Sequence, residues 1–208
     1  GRKAIALISD MNQPLGETVG NALEVREAIA TLQGEGPESF WKHCLDVAAQ
    51  MLILGEVASD EEEGQDLVRQ AVEGGHALER FLELVSAQGG DASYVEHPAK
   101  LPSAPLIKTV PCPRSGYVSQ IHARHVGETA VLLGAGREKK GQAIEHDVGI
   151  EIHREVGDRV QKGEPLFTIH AKGEEDFANA RDELLEAHRI QDEAVDPLPL
   201  IYDIISDS

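Results

Sequence analysis

Only two cysteines, Cys44 and Cys112, occur in the 208 residues, far apart and without C-x-x-C spacing. That excludes a disulfide framework and a zinc knuckle. Basic residues are also few, with 19 Lys plus Arg against 37 Asp plus Glu and a formal net charge of -18. Such a field repels nucleic acid and anionic lipid. The nearest basic patch, Arg137-Glu138-Lys139-Lys140, is short and broken by a glutamate. No apolar run approaches the ~18 residues that a membrane helix requires, and no signal peptide opens the chain. The expected partners therefore include neither nucleic acid nor membrane, and the expected setting is the cytoplasm. What is present is a 41% share of hydrophobic residues, enough for a packed core. At roughly 100–200 residues per domain, the length allows one large domain or two small ones.

Familiar catalytic signatures are missing as well. There is no HExxH, no G-x-S-x-G and no Walker A sequence. Gly134-Ala135-Gly136 lacks the third glycine of a dinucleotide fingerprint and does not open a helix after a strand. His122 and His125 share a helical face by their spacing, but no third ligand stands at a recognised distance in the sequence, so both read as surface histidines.

Ala4-Ile5-Ala6-Leu7-Ile8 is an unbroken apolar run near the start. A strand without polar alternation suits the middle of a parallel sheet covered by helices. Since the neighbours of such a strand must come from elsewhere, the expectation is a fragment whose missing part precedes residue 1. A loop at 9–16 follows, then apolar periodicity predicts four helices: 19–33, one from Pro37 to Leu54, one opened by a capping box at Ser59-Asp60-Glu61-Glu62, and 76–88. Three prolines in 97–105 mark a linker. Beyond it the period changes. Strands are expected at 106–110, 116–121, 148–152, 164–170 and 200–205, with helices at 122–133 and 174–189 and a glycine-rich loop at 134–141. The fold class is thus an α/β remnant, one strand plus helices, over 1–96, a linker at 97–105, and an α+β domain over 106–208.

Val156-Gly157-Asp158-Arg159-Val160-Gln161-Lys162-Gly163-Glu164-Pro165-Leu166 resembles the hammerhead turn of biotinyl and lipoyl carrier domains. The methionine–lysine tetrad that accepts biotin in those carriers is absent; the only methionines are Met11 and Met51. A non-catalytic carrier or scaffold domain with a hammerhead-like, biotinyl/lipoyl-like element is one reading.

The other comes from Asp10-Met11-Asn12-Gln13-Pro14-Leu15-Gly16 and the run from Val19 to Ala28, continued by Ala87-Gln88-Gly89-Gly90-Asp91, Leu133-Gly134-Ala135-Gly136-Arg137, Val148-Gly149-Ile150 and Gly157-Asp158-Arg159-Val160. These segments, in this order and over nearly the whole chain, resemble the second half of pyrimidine-nucleoside or thymidine phosphorylases. The resemblance implies phosphorolysis of a pyrimidine nucleoside to free base and pentose 1-phosphate in the intact enzyme, with phosphate as co-substrate. A related phosphorylase acting on a nucleoside monophosphate is a third reading, behind this one. The family's phosphate- and base-gripping motifs find no match in residues 1–208, so no catalytic or substrate-binding residue is assigned and the fragment alone is expected to be inactive. The resemblance does imply a potassium-like monovalent cation, held by the backbone carbonyls of Leu15 and Thr18 and the carboxylate of Glu27. Thr18 stands where the family pattern has alanine, a change that a backbone ligand tolerates. With the remaining oxygens in the absent half, the fragment is expected to bind the cation weakly. Asp10 and Asn12 are expected at the border of the cleft and the 134–141 loop near its mouth. The intact enzyme is expected to be a homodimer and the fragment a monomer.

Overall fold

The computed structural model describes residues 3–137 and 139–206; Glu138, within the expected basic patch and glycine-rich loop, lies outside the described residues. Two compact units emerge, each discontinuous. One takes the segments ending at Asp10, Glu27–Lys100 and from Pro199 onward; the other takes Met11–Arg26 and Leu101–Leu198. The expected division at 97–105 follows the order of the chain, whereas the compact units exchange 11–26 and the last strand across it.

In the first unit, strand β1 (Ile5–Ser9) pairs antiparallel with β9 (Ile201–Ser206), Leu7 opposite Ile204. This corrects the expected place inside a parallel sheet: among the described residues every strand pair is antiparallel. Half-buried Ile5, Leu7 and Ser9 alternate with exposed Ala6 and Ile8. An apolar run records the wish to be covered and not the direction of its partner.

The helices of this unit follow the periodicity closely. α1 (Asn21–Leu32) gives it the part from Glu27 onward; α2 (Glu38–Leu54), α3 (Glu61–Glu73) and α4 (His76–Ala87) come next. Pro37 caps α2, where its missing N–H costs nothing. Gly64 of α3 packs onto Ala49 of α2, with room for little more than hydrogen: an added Cβ would lie 3.0 Å from the Ala49 Cβ. The capping box sits one residue later than expected. Asp60 accepts the Glu63 N–H at 2.9 Å, while Glu63 reaches back to the Ser59 N–H and hydroxyl. A short helix α5 (Ser93–Glu96) precedes a 3-10 turn at Pro98–Lys100, so the proline-rich stretch carries local structure.

The second unit is built from two sheets and two helices. Strands β2 (Thr18–Val19), β5 (Gly149–Ile152), β7 (Pro165–Ala171) and β3 (Leu106–Pro111) lie side by side in that order. The other sheet runs β6 (Arg159–Val160), β4 (Gly116–Ile121), β8 (His188–Gln191). Helices α6 (Ala123–Leu132) and α7 (Glu174–Ala187) pack on each other, and α7 also on β7. Val118, Ile121, Val126, Ile150, Phe167, Ile169 and Leu184, all fully buried, form one core with contributions from both sheets and both helices. An irregularity between Val118 and Gln120 keeps the strand in phase: both Val118 and Ile121 face inward although they are three residues apart.

Three strands of this unit lie outside the sequence expectation, and one of them, β6, is a two-residue pairing inside the expected 156–163 turn. β2 has only two residues, too few for a period. β8 begins at His188, where the charged pattern predicts helix through Arg189. There the pairing of Ile121 with His188 on β4 overrides the local pattern.

Candidate functional site

The loop that opens the resemblance is tied down residue by residue. Asp10, in the first unit, donates its N–H to the Leu200 carbonyl at 3.0 Å and accepts the Tyr202 hydroxyl at 2.9 Å. From Met11 on, the chain belongs to the second unit. The Asn12 carbonyl accepts the N–H of Ala123, first residue of α6, and the Gln13 side-chain oxygen accepts the Val156 N–H at 2.9 Å. Gly16 turns the chain with a φ of 78°, in the left-handed region that glycine enters without strain. The Glu17 carbonyl then accepts the Ile152 N–H at 2.7 Å, and Thr18 and Val19 fall opposite Glu151 and Ile150. In an antiparallel ladder successive residues point their polar groups alternately toward and away from the partner. Because Glu17 faces β5, the Thr18 carbonyl is turned away from β5. The Thr18 hydroxyl is buried and accepts or donates no hydrogen bond.

Past β2 the backbone crosses β5 at close quarters. A Cβ on Gly20 would lie 2.6 Å from the Val148 carbonyl oxygen and 2.8 Å from the Gly149 Cα. A Cβ on Gly149 would in turn lie 2.5 Å from the Val19 oxygen. Only a pair of glycines allows the two chains to touch here. The Ala22 N–H donates to the His146 carbonyl, Asn21 to Ala135 in the glycine-rich loop, and Arg26 to the carbonyls of Leu101 and Pro102, both at 2.8 Å.

Of the three expected cation ligands, Leu15 and Thr18 lie on this one loop of the second unit, and Glu27 belongs to the first. The charge of Glu27 adds to burial in pushing the Cys44 thiol above its usual range, burial being the larger cause. All three supply oxygen, the donor that a hard monovalent cation takes, so the chemistry of the set fits such an ion. A small cavity of about 190 Å3 lies beside the loop, between Pro14 and Glu17 on one side and His153 and Arg154 on the other.

A polar row runs across the four-stranded sheet, which sequence reading missed. Thr18 opposes Glu151, Glu151 opposes Thr168, and Thr168 opposes Thr109. The Thr168 hydroxyl meets His153 Nε2 at 2.7 Å and the Thr109 hydroxyl at 2.8 Å, and buried His170 bonds Glu151 at 3.0 Å. That bond above all holds the Glu151 carboxyl below the usual carboxylate range, against the opposing effect of burial. The alternation Ile150-Glu151-Ile152-His153 against Thr168-Ile169-His170 was the available signal.

The remaining candidates have structural duties. His122 caps α6 by accepting the His125 N–H at 3.3 Å, and His125 pairs with Glu183 of α7 at 2.6 Å. Among the described residues no three His, Cys, Asp or Glu side chains gather into a metal-sized cluster. In the 156–166 turn, the Gly157 N–H donates to the Val118 carbonyl and the Val118 N–H to the Asp158 carbonyl, which lays β6 on β4. No helix among the described residues is long and apolar enough to cross a membrane.

Known proteins resemble this chain along its whole length. A family model described as the pyrimidine nucleoside phosphorylase C-terminal domain matches residues 117–191, from β4 through β8. A pyrimidine-nucleoside phosphorylase of Geobacillus stearothermophilus is 47% identical over 206 residues, covering 99% of this chain and 47% of the relative. Proteins of the same name from Bacillus subtilis and Staphylococcus haemolyticus are 47% and 43% identical, covering 84% and 100% of this chain and 40% and 47% of the relatives. The chain thus spans about half the length of the curated relatives it matches. The motif-bearing 11–26 segment and the module on which it is folded fall within one continuous similarity, and the chain belongs to the pyrimidine-nucleoside phosphorylase family, to whose C-terminal portion it corresponds.

Proposed function

We propose that the intact protein cleaves a pyrimidine nucleoside with phosphate, releasing the free base and a pentose 1-phosphate, and that this chain is the supporting wall of its active-site cleft. The observation that carries the reading is the 47% identity to the Geobacillus stearothermophilus phosphorylase over 99% of the chain. It favours phosphorolysis over the carrier reading of the 156–166 turn. That turn is read instead as a hammerhead-like structural element, supported by the reciprocal hydrogen bonds of Gly157 and Asp158 with Val118. The enzyme acts in the cytoplasm, as a homodimer.

A potassium-like cation bound by this wall would brace the 11–19 loop through oxygen ligands. Leu15 and Thr18 supply backbone carbonyls, and Glu27 supplies the negative charge. The Thr18 carbonyl, turned away from β5, supports this role, as does the left-handed Gly16 that shapes the turn between the two carbonyls.

The test is turnover of thymidine and uridine with phosphate. The 208-residue chain alone is expected to show none, and the product of the gene extended upstream is expected to show it. In the extended enzyme Glu27→Gln is expected to raise the potassium concentration needed for half-maximal rate about tenfold, as loss of a charged ligand worth roughly 1.4 kcal/mol would do. Turnover by the short chain, or a potassium dependence indifferent to Glu27, contradicts the reading.

A further inference from the structure

The second unit holds a cavity of about 480 Å3 at the junction of the 11–12 loop, β4, the start of α6 and β8. Its electrostatic character runs against the rest of the molecule. The chain carries 37 acidic and 19 basic residues, but among the described residues none of those lining this cavity is acidic, and two are arginines, Arg124 and Arg189. A lining with two arginines and no carboxylate suits an anionic occupant better than a cationic one, Glu128 lying outside the lining and held on the Arg124 Nε.

The polar groups around it are donors or uncharged acceptors. His122 accepts the His125 N–H at its Nδ1, so the neutral ring carries its proton at Nε2, as a donor. The Ser119 hydroxyl donates to the Arg189 carbonyl and the Gln191 amide NH2 to the Glu193 carbonyl, each at 3.3 Å, so toward the cavity these two side chains serve as acceptors through their oxygens. The N-terminus of α6 contributes its dipole, but two of its first N–H groups are already taken, Ala123 by the Asn12 carbonyl and His125 by His122. Contact with an anion therefore falls to the guanidinium groups. Glu128 engages the Nε of Arg124 at 2.7 Å, which leaves the larger share to Arg189 of β8, exposed and opposite Gln120 in the register of β4. The floor is apolar, made by buried Ile121 and Val156.

Two planar guanidiniums match a phosphate group better than any other small anion, because each can donate two parallel hydrogen bonds. The volume lies within the ~300–1,000 Å3 range of small-molecule sites and exceeds what a bare phosphate fills. The acceptor oxygens of Ser119 and Gln191 suit a body that carries hydroxyl donors. We infer that this cavity is a binding site for a small phosphate monoester, its phosphate on Arg189 and Arg124 and its sugar-like body over Ile121 and Val156.

The experiment is a titration of the 208-residue chain with ribose 5-phosphate, followed by amide chemical shifts and calorimetry, with ribose and inorganic phosphate as comparison probes. Turnover is not needed, so the outcome is independent of the phosphorolysis reading. Ribose 5-phosphate is expected to shift the amides of Ser119, Arg124, Arg189 and Gln191, while ribose shifts none. Arg189→Gln is expected to weaken binding about tenfold or more, the loss of a charge-assisted bidentate contact, with thermal unfolding unchanged because the side chain is exposed. Arg124→Gln should weaken it less. Absence of any shift with ribose 5-phosphate, equal binding by Arg189→Gln, or equal binding of ribose overturns the site. Inorganic phosphate binding as tightly as the sugar phosphate overturns the assignment of the ligand's body, since the rest of the cavity would then contribute nothing.

Discussion

Replacing Gly20 by alanine tests whether the 11–26 segment depends on its crossing with β5. The added Cβ would lie 2.8 Å from the Gly149 Cα, where carbons prefer roughly 3.5–4.0 Å. The two backbones must therefore separate by about 1 Å, and neither can rotate away as a side chain could. The φ of 143° adds strain for any residue with a Cβ. Backbone strain and overpacking, each within roughly 1–3 kcal/mol and each taken at about 1.5 kcal/mol, give about 3 kcal/mol. Gly163 of the same unit is the control. Its φ of 94° is also positive, but nothing lies within 4 Å of an added Cβ, so Gly163→Ala should cost only the left-handed penalty of about 1–2 kcal/mol. Hydrogen exchange of the Ile152 and Ala22 amides, which donate to Glu17 and His146 across this crossing, reads the effect locally. Gly20→Ala should speed both by about a hundredfold, at 1.4 kcal/mol per factor of ten, and Gly163→Ala should leave them near wild type. Equal effects of the two substitutions, or unchanged exchange in Gly20→Ala, would refute the close-approach argument.

Two further predictions concern pH. His188 donates from Nδ1 to the Leu184 carbonyl at 2.6 Å, its Nε2 is buried without a partner, and burial pushes its pKa below the usual histidine value. A lowered folded pKa means that the unfolded chain takes the proton first, so stability falls as pH drops below roughly 6.5. Denaturant midpoints between pH 7 and 5 should decline in the wild type and flatten in His188→Gln; an unchanged slope in the variant counts against the argument. Glu151 has the opposite chemistry and a lower window. With its folded pKa depressed by His170, its stabilisation is present above the ordinary carboxylate value of about 4.3 and is lost as pH falls through the folded value. Glu151→Gln should cost about 1 kcal/mol at pH 7, discounted for a carboxylate that is partly open to solvent. The cost should vanish in unfolding measured at acid pH, and a cost that persists there argues for packing instead.

How much the sequence reveals depends on how local the deciding interaction is. α2, α3 and α4 were legible because each carries its own apolar stripe and its own stop. β4 and β7 were legible because their core residues alternate or run together within one segment. The partner of β1 was not legible, since Leu7 and Ile204 meet across nearly the whole chain and neither records the direction of the other. β8 was masked by the charges that lead α7 into it, and only the register with Ile121 reveals His188 as a strand residue. The proposed cation ligands rest on resemblance alone, because backbone carbonyls such as those of Leu15 and Thr18 leave no mark in residue type. The phosphate-monoester cavity had no sequence signal at all: Asn12, His122 and Arg189 come from three distant stretches and carry no shared spacing.

The antiparallel partners of β1 and β2 also set a timetable for making the protein. Thr18 waits for Glu151, and Ile5 waits for Ser206. On a ribosome, which releases the chain from its N-terminal end, the helices of α2 to α4 can pair as they emerge, but both early strands stay unmated until late segments appear. Long-range closures of this kind are slow. The interval in which Leu7 stands open, before Ile204 arrives opposite it, is when a nascent copy is most exposed to sticking to its neighbours or to capture by a chaperone.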